Sequence, residues 1–264
     1  MSKRTIFPYS LNIGLTNRCN AKCFFCPVSS TKIPREDMPL ELVRKILSEV
    51  KIEHHVSLAL FGESTLYEDI DIVIKLVQKK GLPSILYTNG LFDDWTKLTG
   101  LDKIIFSLDA FSKEEYIRHK GVDGYDKVLN NIDKLRGKVH TTVQYADLNY
   151  EKKGKCPTAD KIKMGRFVTW GGEIEYNGTQ KRKIRLPKPC THIFRFMNIA
   201  SNGDMVQCCF DYNHNFVMGN VKNNHVMDVW NGDKFRKARK QQINGIFNSM
   251  CLNCENESYY SPQT

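Results

Sequence analysis

Apolar positions along the first 150 residues recur in two alternating rhythms. Residues 10–15, 56–61, 84–88, 103–108 and 138–145 are short apolar or β-branched runs, each expected to form a strand. Between them, residues 39–50 place Leu42, Val43, Ile46, Leu47 and Val50 at helical spacing, with Glu and Lys in the gaps. Residues 70–80, 113–120 and 125–136 read as further helices. Strands alternating with helices predict parallel β/α units and an α/β fold, barrel-like or doubly wound. In such sheets ligands gather at the C-terminal ends of the strands.

The rhythm breaks near residue 148. Residues 149–188 are polar and basic and contain a Trp170-Gly171-Gly172 turn. They read as a linker that could complete a barrel and fold partly over a site. Beyond Pro189, residues 193–200 and 205–210 read as two strands joined by Ser201-Asn202-Gly203-Asp204, a hairpin turn signal. Residues 228–240 read as one helix, followed by Cys251-Leu252-Asn253-Cys254. The expected organisation is a core over 1–148, a basic linker over 149–189, and a small α+β Cys-bearing unit over 190–264.

Composition narrows the class. The chain has 264 residues, with 41% hydrophobic and 26% charged, which suits a globular protein and argues against disorder. No apolar run approaches the roughly 18 residues of a membrane span. Residues 1–8 carry Lys3 and Arg4 without an apolar stretch, so a cytoplasmic location is expected. The net charge is +10, and residues 151–188 supply +7 of it, eleven Lys or Arg against four acidic residues. A second basic run, Lys234, Arg236, Lys237, Arg239 and Lys240, is expected on a solvated helix face. Such patches attract anions. Aromatic interleaving for base stacking is sparse, which disfavours nucleic acid as a partner.

Nine cysteines change the picture most. Cys19, Cys23 and Cys26 form a CxxxCxxC triplet just after the first strand. Three thiolates can hold three corners of a 4Fe–4S cubane and leave one iron open, although zinc with a fourth ligand elsewhere would also fit. Cys190, Cys208, Cys251 and Cys254 form a second group of four, enough to close a cluster, or to bind zinc. Cys209, next to Cys208, competes as a ligand, and Cys156 belongs to neither group. Without a secretory leader, this usage points to metal rather than disulfides.

Cys19-Asn-Ala-Lys-Cys23-Phe-Phe-Cys26, with aromatic Phe25 before the third cysteine, resembles the signature of the radical S-adenosylmethionine (radical SAM) superfamily. Phe61-Gly62-Glu63 resembles that family's Gly-Gly-Glu motif, with Phe at its first position. Tyr87-Thr88-Asn89-Gly90 and Ser107-Leu108-Asp109 resemble its third and fourth strand ends. The resemblance covers roughly residues 9–147. It implies a partial (β/α)6-type barrel in which Phe25, Gly62, Glu63, Thr88, Asn89, Ser107 and Asp109 contact S-adenosylmethionine. The C-terminal stretches 203–208, 218–221 and 228–230 resemble the SPASM/twitch extensions of these enzymes, which implies an auxiliary 4Fe–4S cluster, two clusters in all.

The family's chemistry implies an external electron donor such as flavodoxin or ferredoxin and a 5′-deoxyadenosyl radical that abstracts hydrogen from a small polar substrate, expected to be anionic or nucleotide- or sugar-like. The auxiliary cluster would accept an electron. The nearest resemblance is to the twitch-bearing aminocyclitol dehydrogenases, with a departure: Trp170 stands where those relatives carry an arginine. Alternatives are a maturase of ribosomal peptides, a radical epimerase with Cys209 or Cys156 as hydrogen donor, and a non-catalytic metal-stapled nucleic-acid module. Asp211 is a candidate acid–base group. Trp170, Lys181, Arg182, Lys183 and Arg185 are candidate substrate contacts, the four basic residues for an anionic group.

Overall fold

In the computed structural model, the residues described are 5–146, 157–165, 167–174 and 189–254. Nine strands form a single sheet: β1 Ser10–Ile13, β2 His55–Leu58, β3 Ser84–Thr88, β4 Lys103–Ser107, β5 His140–Ala146, β6 Lys161–Gly165, β7 Phe196–Ile199, β8 Asp204–Val206 and β9 Val217–Asn220. Their order is β6-β5-β4-β3-β2-β1-β7-β8-β9. All pairings from β6 to β7 are parallel, and those of β8 are antiparallel. This is a partial parallel barrel extended at one edge by an antiparallel C-terminal part.

Helices α1 Leu40–Glu49, α2 Ile70–Lys79, α3 Lys113–Lys120 and α4 Tyr125–Leu135 cover one face. On α1, Leu42, Val43, Ile46 and Leu47 are buried, as the apolar stripe requires. They share one core with Leu11 and Ile13 of β1, Val56 and Leu58 of β2, Leu86 of β3, Ile104 and Phe106 of β4, and Val143 and Tyr145 of β5. Because side chains alternate across a strand, the positions between these face the concave side. The rungs of that face include Asn12 with Ser57 and Asn198, Ile105 with Thr142, and Ser107 with Gln144.

The linker expected over 149–189 contributes β6, which pairs with β5 and lengthens the barrel wall. The C-terminal unit does not build its own sheet; β7 adds in parallel to β1, with Ser10 opposite Phe196 and Ile13 opposite Ile199. Residues expected as one strand over 193–200 divide into a short helix, α5 His192–Arg195, and β7. The second expected strand, 205–210, is confined to β8, because the chain turns at Gln207 to place the cysteines. The hairpin turn forms as expected, with Gly203 at φ +80 and its amide donating to Ala200 O.

The helix expected over 228–240 is broken into α6 Val226–Trp230 and α7 Asp233–Ile243 by Asn231 and Gly232. Arg239 of α7 is not on a solvated face. It is buried, donates to Ile193 O and Trp230 O, and lies over the Trp230 ring at 4.2 Å. A short α8, Ser249–Leu252, carries Cys251. Among the described residues no helix is long and apolar enough to cross a membrane.

Candidate active site

The loop after β1 carries Cys19, Cys23 and Cys26, all half-buried. Two neighbours hold it. Gly62, after β2, has φ +99, and a Cβ there would meet Thr16 O at 2.5 Å and Arg18 O at 2.8 Å. The glycine expected to contact a cofactor is therefore demanded by the loop's own backbone. On the other side, the last carbonyls of α3 accept from the loop: Lys22 N donates to Lys120 O and Phe24 N to His119 O. The thiols lie within electrostatic reach of one another, and burial pushes Cys23 up to about 12 and Cys26 up to about 11. Thiols so placed ionise on binding a metal.

Glu63 sits beside this loop, 3% exposed. Its carboxylate accepts from Thr88 Oγ1 at 2.8 Å, Asn89 N at 2.7 Å, Thr65 Oγ1 at 2.8 Å and Thr65 N at 3.2 Å. All four donors are neutral, and among the described residues no cation pairs with it. Burial raises its pKa. A buried carboxylate without a counter-charge fits an incoming ammonium group, such as that of S-adenosylmethionine. Thr88 and Asn89 thus do more than turn the chain. Thr88 orients Glu63, while Asn89 Nδ2 donates to Asn20 Oδ1 and lies 3.8 Å from Cys19 Sγ.

Asp109, expected at a ribose or as a helix cap, does not cap the next helix. Both oxygens are occupied, by Lys120 Nζ at 2.6 Å and Ala146 N at 2.7 Å, and Ser112 caps α3 instead. Its backbone has φ +54. Lys120, which sequence reading missed, is buried with Asp109 and lies 5.3 Å from the Phe25 ring centroid. Asp109 and Cys23 favour its charged form against the cost of burial. No spacing rule announces a fully buried lysine at a helix C-terminus. Phe25 stacks on Phe167 at 4.3 Å. Ser107 ends β4 on the concave face, opposite Gln144.

The four thiols of Cys190, Cys208, Cys251 and Cys254 line one cavity, floored by Phe210 and Met250. Cys209 does not line it; its sulfur lies 3.6 Å from His192 Nε2. Cys208 is pushed well up by its hydrogen bond to Cys209 and by burial. Gln242 Nε2 donates to Cys251 Sγ at 3.3 Å and Gln207 Nε2 lies 3.6 Å from it, two amides that sequence reading did not single out. Among the described residues no three His, Cys, Asp or Glu are grouped tightly enough for one ion. Four cysteines around one cavity are enough to ligate an iron–sulfur cluster completely.

Trp170 joins the two places. Its Nε1 donates to Phe25 O at 2.8 Å, between the second and third cysteines of the loop. Its ring meets Phe210 at 5.4 Å and Tyr212 at 6.4 Å, beside the second cavity. The residue has φ +53, and Gly171 behind it is packed on Met250. Asp211, the candidate acid–base group, is buried. Its oxygens accept from Asn215 N and Phe216 N at 2.8 Å, so it ties a turn. Cys156, Lys181, Arg182, Lys183 and Arg185 lie outside the described residues.

Two outcomes test these assignments. Glu63→Gln removes the charge but keeps the shape; S-adenosylmethionine affinity by equilibrium dialysis should fall about tenfold or more with iron content unchanged. Equal affinity would remove Glu63 from the cofactor site. Cys208→Ala should lose about half the iron of reconstituted protein, and Cys209→Ala should lose none. The reverse pattern would exchange the two residues.

Comparison with known proteins agrees with this geometry. The Radical SAM superfamily model matches residues 13–153, and the SPASM model, an iron–sulfur cluster-binding domain, matches 190–255. A curated relative is the S-adenosyl-L-methionine-dependent 2-deoxy-scyllo-inosamine dehydrogenase of Niallia circulans, 26% identical over 94% of this chain and 93% of the relative. The crystal structure of BtrN in complex with AdoMet and 2-DOIA superposes with a TM-score of 0.69 at 20% identity, covering 98% of this chain and 97% of BtrN. Streptococcus suis SuiB bound to the precursor peptide SuiA gives 0.73 at 18% identity, over 94% of this chain and 70% of SuiB. The chain belongs to the radical SAM superfamily and carries a SPASM iron–sulfur domain.

Proposed function

We propose that this radical SAM enzyme is a dehydrogenase that oxidises a hydroxyl-bearing carbon of a small cyclitol- or sugar-like substrate. The observation that supports it most is the pairing of two unlike thiol sites across one tryptophan. In this reading residues 1–148 form the core, 149–189 the connecting segment and 190–264 the auxiliary-cluster unit. Cys19, Cys23 and Cys26 hold a cluster with one open iron, and Cys190, Cys208, Cys251 and Cys254 hold a closed one. Bound at the open site, the cluster and S-adenosylmethionine supply a 5′-deoxyadenosyl radical that removes hydrogen from carbon.

The chain's own residues do the positioning. Glu63, held by Thr88, Thr65 and the Asn89 amide, binds the methionyl ammonium. The Lys120–Asp109 pair fixes the rim at β4 against the end of β5. Trp170 closes the space between the sites and excludes water from one flank. Cys190, Cys208, Cys251 and Cys254 would hold the auxiliary cluster with all four thiolates, which would leave no open position for substrate and suit the cluster to accepting an electron. A flavodoxin- or ferredoxin-type donor would supply the first electron, in the cytoplasm.

Full-length similarity to the inosamine dehydrogenase, with its matching length, supports this reading over peptide modification. Epimerisation is the second reading, because Cys209 lies outside the four-thiol cavity and remains a candidate hydrogen donor. Anaerobic turnover with polyols deuterated at carbon separates them. A dehydrogenase forms a carbonyl and passes deuterium to 5′-deoxyadenosine in equal amount. Unoxidised product that has gained solvent hydrogen, through a step lost in Cys209→Ala, would establish epimerisation instead.

A further inference from the structure

We propose that the concave wall formed by β4, β5 and β6 is a subsite for a dianionic phosphate group of the substrate, held by Lys161, Lys163 and Lys103 with the Thr142 hydroxyl. The inference deepens the dehydrogenase reading and rests on it for the identity of the reacting molecule. It starts from register. Lys161 lies opposite Thr142, which lies opposite Ile105; Lys163 lies opposite Gln144, which lies opposite Ser107. Lys103 lies opposite Ile85 and His140. The intervening residues of these strands, Ile104, Phe106, Val143 and Tyr145, belong to the helix-side core. The three lysines therefore lie on the opposite, concave face of the sheet, Lys103 half-buried and Lys161 and Lys163 exposed.

Nothing on that wall balances them. Among the described residues none of the three makes a hydrogen bond or an ion pair. Among the described residues, Asp160 at the foot of β6 is taken up by Thr141 N, Thr141 Oγ1 and His140. At the rim Asp109 is paired with Lys120, and Glu63 is enclosed by its four donors. Burial together with the charges of Lys103 and Lys161 lowers the Lys163 pKa. His55 on the neighbouring wall is pushed down to about 4 by burial, His54 and Lys103, so it stays neutral and offers no relief.

A second observation points to a ligand. Thr142 is 2% exposed, and its Oγ1 has no hydrogen-bond partner. A buried hydroxyl left unpaired is costly, and here it sits on the rung that carries Lys161. A phosphate oxygen would accept from it, and two negative charges would answer three lysines. Lys163 shares a rung with Ser107, at the strand end where the radical chemistry takes place, and Lys161 sits two residues deeper, roughly 7 Å. A phosphorylated polyol would thus reach with its phosphate down the wall and keep its reacting carbon at the rim.

The test is binding of inorganic phosphate to anaerobically reconstituted enzyme holding S-adenosylmethionine, by equilibrium dialysis at low salt. Wild type should bind one phosphate per chain saturably. The double variant Lys161→Met/Lys163→Met should bind at least about tenfold more weakly, and Thr142→Val should weaken binding severalfold. Lys75→Met, a surface lysine paired with Asp71, should bind as wild type does. Circular dichroism and iron content check that each variant is folded. No saturable binding by wild type, or equal affinity in the double variant, would overturn the subsite. Lysine-dependent phosphate binding without carbonyl formation from any polyol phosphate would overturn the dehydrogenase reading and leave the subsite standing.

Discussion

A carboxylate buried without a cation is the constraint around which the rim of this barrel is arranged. Glu63 is enclosed by neutral donors from the end of β3 and from the turn that follows Glu63 itself. Each donor reduces the cost of its charge, but none cancels it. The glycine before it lets the thiol loop cross at backbone distance, which fixes Cys19 beside Asn89 and the carboxylate. A larger residue at 62 would push the loop away and separate the two. The acid and the thiols are therefore set in place together.

The second dependence runs through the sheet. Because β7 extends the parallel sheet beside β1, the strand that leads to the thiol loop borders the first strand of the hairpin whose second strand, β8, leads to Cys208. Two metal sites distant in sequence thus share one rigid frame. Trp170 closes the gap with a hydrogen bond to one loop and ring contacts to the other cavity. The carboxylate of Asp211 holds the turn that carries Tyr212 toward it. Asp211 and Asp109 both accept backbone amide hydrogen bonds and so hold the chain in place around these sites.

Much of this was legible in the residues. Apolar spacing located α1 through α4 and β3 to within a residue or two, since each buries one face in a single core. The cysteine spacings located both thiol sites, because metal ligation constrains sequence directly. Tertiary effects were not legible. The break between α6 and α7 falls where Gly232 is extended and the Asn231 side chain bonds the backbone of Ile6, a tertiary contact that periodicity does not record. The helical turn at α5 was hidden within a strand-like run. Strand β6 was hidden in a basic stretch, as an edge strand with few apolar residues. Lys120 and Gln242 left no signal, because a buried polar residue is recognised only by its partners.

The central claim is that the chain holds two iron–sulfur sites of unequal ligand number, one open to S-adenosylmethionine and one closed. Electron paramagnetic resonance of the reduced, reconstituted protein, titrated with S-adenosylmethionine, tests this most directly. The account predicts two cluster signals, of which one shifts with the cofactor and is missing in the Cys19→Ala/Cys23→Ala/Cys26→Ala protein, while the other does not move. Two signals that both shift, or a single signal that survives that triple substitution and still responds to the cofactor, would contradict it.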